Sequence, residues 1–146
     1  MRPPHPVYES LIRITNESHA GWRFFLGTFY SRFMNESPEI RDMFDGIDIE
    51  RQIQMLQISL QAILHVGSQS DIPIGFEELA EKHGPDGLNV QVRHFHMWMN
   101  CFLATVEELD PDCDSRTMKA WRHALQTGID YMVRLSGVAG ESRVFE

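Results

Sequence analysis

A histidine at an abrupt helix end is the side chain with the clearest capacity for chemistry. In the stretch 76–89, apolar residues recur at helical spacing with His83, so the imidazole is expected to face the core. Gly84 and Pro85 end that helix directly after it. A free backbone carbonyl in the last turn can accept the Nδ1 proton, which leaves Nε2 as an inward electron pair. An iron or zinc ligand needs this arrangement, although an inward histidine is more often only structural.

Other motifs that carry chemistry are missing from the sequence. There is no glycine-rich phosphate loop, no Gly-x-Ser-x-Gly turn, no His-Glu-x-x-His and no Cys-x-x-Cys. His94 and His96 lie two positions apart, and side chains at this spacing diverge on a helix, so they cannot close on one ion there. Cys101 and Cys113 lack the spacing of a disulfide framework, which fits a reducing cytoplasm. His83 therefore stays the candidate ligand.

Composition indicates an ordinary globular domain. The chain has 146 residues, of which 42% are hydrophobic and 23% charged, enough for one sizeable core. A formal net charge of −8 and the lack of a basic block argue against nucleic-acid binding and against anionic membrane surfaces. No apolar stretch approaches about 18 residues, and no basic segment precedes an apolar one at the N-terminus. We therefore expect a cytoplasmic protein with neither nucleic acid nor membrane as a partner.

The hydrophobic pattern predicts an all-α domain of six to seven helices. Strand signals are absent, because no run of β-branched residues alternates with polar ones. Residues 1–6 contain three prolines and are expected to form a flexible arm. The domain is expected to span residues 7–136, with a tail at residues 137–146.

Helix boundaries follow from capping residues and apolar periodicity. Gly21 is expected to separate the first two helices, and Ser37 with Pro38 forms a typical helix start. The longest apolar stripe begins at Ile49 and is widened by Ile58. The predicted helices are Val7–His19, an aromatic and central helix Trp22–Phe33, Ile40–Phe44, Ile49 to near Gly67, one ending at His83, Asn89–Leu109, and Asp114 to about Leu135.

Several short motifs follow one another in a fixed order between Trp22 and about Met132. The motifs are Phe29-Tyr30-x-Arg32-Phe33, Pro38-Glu39-Ile40 with Phe44, Leu79-Ala80-Glu81-Lys82-His83 with Gly87-Leu88, His94-Phe95, Phe102-Leu103 and Ala120-Trp121. In order and spacing they resemble the globin family, specifically the single-domain bacterial globins related to the haem domain of flavohaemoglobins.

This resemblance implies a globin fold around a haem pocket, with haem b as the cofactor and His83 as the iron ligand. Tyr30, Gln52 and Leu56 would line the distal side, with the Tyr/Gln pair in place of a distal histidine. A register shift would replace Gln52 by Gln54, and Leu56 by Met55 or Ile58. The other pocket residues that the resemblance implies are Phe44, Leu79, Leu88 and Phe95.

The resemblance also implies reversible binding of O₂ and other diatomic gases (CO, NO), for oxygen binding or storage. No reductase domain follows the last predicted helix, so NO dioxygenation would need an external reductase. Phe95 and Val138 stand where flavohaemoglobins carry a tyrosine and a glutamate behind the proximal histidine, which implies a less imidazolate-like His83. The alternative is a haem-based gas sensor or signalling partner protein.

Overall fold

All regular structure in the computed structural model, which describes residues 5–68 and 92–136, is helical. The prediction of an all-α chain is confirmed over these residues, and none of the described helices is long and apolar enough to cross a membrane. The helix predicted to end at His83 lies outside the described residues. The six helices are α1 (Pro6–Thr15), α2 (His19–Met34), α3 (Pro38–Met43), α4 (Ile49–Ser68), α5 (Val92–Leu109) and α6 (Ser115–Ser136).

Helix α2 is central, as predicted, because it contacts α1, α3, α4 and α5. The fully buried rings of Phe25 and Phe29 each lie 5.4 Å, centroid to centroid, from the ring of Phe102 on α5. Trp121 from α6 reaches the same ring at 5.6 Å. Phe24 is the exception among the aromatic residues of α2, since 64% of it is exposed. Edge and tilted contacts of this kind add to the burial of apolar area in stabilising the core.

The junction between α1 and α2 differs from the prediction. Helix α1 ends at Thr15 rather than His19, and Gly21 lies inside α2 instead of breaking the chain. The Ser18 hydroxyl caps α2 by accepting the Gly21 N–H at 2.9 Å. A Cβ atom at Gly21 would lie 1.9 Å from the carbonyl oxygen of Thr15. Glycine is thus needed here because two backbones approach closely, which a reading of glycine as a helix breaker misses.

Two consecutive residues at this junction adopt left-handed backbone conformations. Asn16 and Glu17 both have φ of 53°. Asparagine tolerates this region better than most residues, whereas glutamate has no such preference. The Glu17 side chain is exposed and its N–H bonds the Thr15 hydroxyl at 3.2 Å. We therefore attribute the strain at Glu17 to the close approach of its Cβ to its own backbone carbonyl.

Replacing Glu17 with glycine should raise the free energy of unfolding by about 0.5–1 kcal/mol, because the relief of strain exceeds the entropy that glycine adds to the unfolded chain. Urea unfolding followed by circular dichroism measures the change. Glu17→Ala is the matched control, since alanine keeps a Cβ at positive φ while removing the same carboxylate. Equal stabilisation by both variants would attribute the gain to lost charge and contradict the strain.

The starts of α3 and α4 follow the predicted caps. The Ser37 hydroxyl accepts the Ile40 N–H at 3.2 Å, with Pro38 as the first residue of α3. Helix α4 begins at Ile49, as predicted. Its buried face carries Ile53, Leu56 and Leu60, but Ile58 is 69% exposed, so the prediction that Ile58 widens the apolar stripe is wrong. Ile58 is two residues from both leucines, which places it about 200° round the helix from each.

A buried polar cluster fixes α1 against the corner between α5 and α6. Asp110, 2% exposed, accepts hydrogen bonds from the Ser10 hydroxyl at 2.6 Å and from Arg13 Nε and Nη2 at 2.8 and 2.9 Å. It also accepts the Asp112 N–H at 3.0 Å, while Trp121 Nε1 donates to Ser10 at 2.9 Å. Burial opposes the carboxylate charge, but the bonds from Arg13 and Ser10 outweigh it and lower the pKa of Asp110.

Candidate functional site

The phenol of Tyr30 is buried where α2 faces α4 and the end of α3. Tyr30 is 5% exposed, and its hydroxyl donates to the backbone carbonyl of Gln52 at 3.4 Å. Its ring meets Phe44 edge-on with centroids 5.7 Å apart. Burial raises the pKa of Tyr30 far above the ordinary value, so the phenol keeps its proton at physiological pH. Tyr30 is therefore a hydrogen-bond donor in an apolar setting.

The residues around this phenol come from separate elements. Phe44 caps α3 through its N–H, which bonds the carbonyls of Arg41 and Asp42, and its ring is half-buried. Gln52 in the first turns of α4 is also half-buried, and Leu56 follows one turn later at 8% exposure. Helices α2, α3 and α4 thus bring Tyr30, Phe44 and Gln52 together. Phe44 and Gln52 remain partly exposed to solvent.

The register of α4 bears on the choice between Gln52 and Gln54. The carbonyl oxygen of Gln52 is the acceptor for Tyr30, whereas Gln54 is exposed. Leu56 is buried and Ile58 is exposed, as expected when the face through Gln52 and Leu56 turns towards α2. Gln52 and Leu56 therefore lie on or near the face of α4 that is turned towards α2, while the choice of Gln52 over Gln54 as a pocket residue stays a prediction.

The start of α5 is bonded to α3 by an ion-pair cluster that sequence reasoning missed. His94, 4% exposed, places Nε2 3.0 Å from Glu39 Oε1. The Arg93 guanidinium bonds both oxygens of the same carboxylate, with Nε 3.2 Å from Oε2. Arg93 first and His94 second lower the pKa of Glu39 to about 2. Glu39 is recognisable in the sequence as an acid in the first turn of a helix, but nothing there pairs it with Arg93, which is 54 positions away, or with the next residue, His94.

The remaining predicted site residues divide into two groups. Phe95 is buried at the start of α5 and belongs to the core. His83, Leu79 and Leu88 lie outside the described residues, so their roles stay predictions. Within residues 5–68 and 92–136, no group of three or more histidine, cysteine, aspartate or glutamate side chains could hold a metal ion.

Comparison with known proteins gives a match by structure. No protein-family model and no curated protein sequence matches the chain. Its fold is similar to the crystal structure of a protein from Pseudomonas aeruginosa PAO1 that is described as structurally highly homologous to a human hemoglobin. The two share 24% sequence identity at a TM-score of 0.77, over 93% of this chain and 97% of that chain. The chain has the globin fold.

The globin fold places the described elements in a known frame. Globin helices cross in pairs, and α2 here contacts both α3 and α4. Tyr30 and Phe44 lie where these helices meet, and Phe95 is buried on α5. The globin fold predicted from the sequence is thus confirmed at the level of architecture.

Proposed function

We propose that this chain binds haem b through His83 and reversibly binds O₂, with CO and NO as further ligands. The observation that carries this proposal is the buried Tyr30 phenol beside Gln52 and Phe44 in a globin fold. Haem iron supplies the coordination position at which a diatomic gas binds. Every other contribution comes from the side chains of the pocket.

The side chains around Tyr30 on α2, α3 and α4 are suited to a bound haem. Tyr30 offers one O–H from an apolar surface, and a hydrogen bond to a partly charged acceptor in such a place contributes about 1.5–3 kcal/mol. The exposed part of the Phe44 ring offers apolar area that would lie against a flat macrocycle and exclude water, while the buried Leu56 and Phe95 belong to the core behind it. Half-buried Gln52 lies beside this apolar area. Tyr30 can therefore donate its proton in surroundings that contain little water.

The distribution of histidines supports His83 as the proximal ligand. His94 is buried against Glu39, and His5 caps α1 by accepting the Val7 N–H at 3.2 Å. His19, His96 and His123 are exposed, and the side chain of His65, like His83, lies outside the described part of the chain. A buried imidazole at the end of a helix, as the sequence predicts for His83, has the orientation that a haem ligand needs.

The ferrous protein without added gas should be five-coordinate. Leu56 cannot ligate iron, the amide of Gln52 is a poor ligand, and Tyr30 keeps its proton because burial raises its pKa. The absorption spectrum of the purified ferrous protein, recorded before and after addition of O₂ and CO, measures this. A low-spin six-coordinate spectrum before any addition would contradict the proposed distal side. Absence of haem after reconstitution would contradict the whole proposal.

Tyr30→Phe should accelerate O₂ release about tenfold to a hundredfold, because the variant loses most of a bond of about 1.5–3 kcal/mol. CO is a much weaker acceptor, so its release should change far less. Stopped-flow measurement of both off-rates, in wild type and variant, tests the point. Equal changes for the two gases would mean that Tyr30 acts by its bulk, and no change would place it outside the pocket.

An external reductase would allow the same site to remove NO. The partners proposed are therefore O₂, CO and NO, with a separate electron donor in the enzymatic case. Steady NO consumption by the ferrous protein, supplied with O₂ and a reductase, separates this activity from oxygen storage. A single turnover followed by inhibition would favour storage or ligand-dependent signalling to a partner protein.

A further inference from the structure

On the proposed function, the single proton of the Tyr30 hydroxyl has two possible acceptors, which are the Gln52 carbonyl and bound O₂. We propose that Tyr30 is a one-proton switch, donating to the backbone carbonyl of Gln52 when the pocket holds no ligand or CO, and to the ligand when O₂ is bound. This inference rests on the proposed gas binding and concerns its regulation. It makes the bond between α2 and α4 depend on which gas is bound.

The resting bond is weak enough to be exchanged. Its O···O distance of 3.4 Å is long compared with the 2.5–3.0 Å, roughly, of a good O–H···O bond. The Gln52 carbonyl also accepts the α-helical hydrogen bond from the N–H of Leu56, four residues later in α4. It therefore keeps one hydrogen bond when the phenol turns away. An oxygen ligand with partial negative charge is a stronger acceptor than this doubly used carbonyl.

The aromatic neighbours restrict the change to the hydroxyl. The Tyr30 ring is held edge-on by Phe44 at 5.7 Å and tilted against Phe29 at 5.3 Å, centroid to centroid. With the ring fixed, rotation about the C–O bond is the movement of lowest cost that redirects the proton. A hydroxyl rotation needs no repacking of the core, so the switch operates without displacement of α2.

The consequence falls on the first turns of α4. This part of α4 is joined to α2 by the phenol and by an ion pair between Arg23 and Glu50. Both ion-pair side chains are more than half exposed, so this pair contributes little. Loss of the phenol bond in the O₂ complex therefore removes a polar link between α2 and the first turns of α4.

The ¹³C resonance of the Gln52 carbonyl, observed through the Ile53 amide, reports the phenol bond directly. The ferrous CO and O₂ complexes of wild type and Tyr30→Phe are compared, and both are diamagnetic. We expect Tyr30→Phe to shift this resonance in the CO complex and to leave it unchanged in the O₂ complex. The matched control is the Met55 carbonyl, which accepts a hydrogen bond from the Ser59 hydroxyl at 2.8 Å. Its ¹³C resonance, observed through the Leu56 amide, should not shift.

Equal shifts in both complexes would overturn the switch, because the phenol would then stay on Gln52 whichever gas is bound. No shift in either would overturn it as well, since the resting bond would not exist in solution. The off-rates separate these results from failure of the proposed function. If Tyr30→Phe accelerates O₂ release while the carbonyl shifts alike in both complexes, gas binding stands and only the switch fails. If O₂ release is unchanged, the donor role itself fails.

Discussion

His83→Ala should abolish stable haem retention. On the proposed function His83 would hold the haem iron, and apolar contacts alone would leave the macrocycle free to dissociate during dilution. Reconstituted wild type and variant are passed over a gel-filtration column, and haem per protein is read from the absorption spectrum. We expect wild type to keep close to one haem per chain and the variant to lose nearly all of it.

The matched control is His123→Ala, because His123 is an exposed histidine on α6. This control should retain haem fully. Added imidazole gives a second readout, since it can occupy the cavity left by the side chain and restore the axial ligand. Full retention by His83→Ala with an unchanged ferrous spectrum would remove His83 from the mechanism.

Asp110→Asn should lower the free energy of unfolding by about 2–3 kcal/mol, because it removes a carboxylate with charge-assisted bonds and places an amide N–H₂ group against donors. Arg13 keeps some contact with water, since 28% of its side chain is exposed, so the loss stays below that of a fully buried charge. Urea unfolding measures it. Asp112→Asn is the control, because Asp112 is exposed and bonds Asp110 through its backbone N–H.

The difference between wild type and Asp110→Asn should depend on pH with a definite sign. The pKa of Asp110 is lower in the folded protein than the ordinary 3.8, so folding favours the ionised form. The stabilisation is present above pH 3.8 and is lost as pH falls through the folded-state pKa. Unfolding curves from neutral to acidic pH should therefore converge for the two proteins. A constant difference across this range would show that the ionised carboxylate is not the source of stability.

Local signals in the sequence were enough for elements whose ends are decided by near neighbours. The hydroxyl and the proline that start α3 act within three residues, and the apolar period of α4 is visible along its own sequence. Such signals fail where a distant backbone decides. The sequence pattern predicts a break at Gly21, yet its lack of a side chain is required by the Thr15 carbonyl across the junction. The pattern also predicts that Ile58 faces inward, because hydrophobicity alone does not say which face of α4 meets α2.

The same limit applies to the candidate site. The resemblance implies Tyr30 as a distal residue, and the structure buries its side chain, but its bond goes to the backbone of Gln52. Every residue has a backbone carbonyl, so the pattern of side chains cannot indicate which carbonyl accepts a hydrogen bond. The pairing of His94 with Glu39 was missed for a related reason. Each belongs to a different helix, and only the crossing of α3 and α5 brings them within 3.0 Å.

The bond between Ser10 and Asp110 spans 100 positions of the chain. A ribosome adding ~5–20 residues per second needs about 5–20 s to make that segment. During this interval Ser10 and Arg13 have water in place of the carboxylate, and the indole of Trp121 does not yet exist to cover them. Helix α1 is therefore expected to dock only after α6 has been synthesised, so that an early helix of this chain waits for a late one before its polar side chains find their partners.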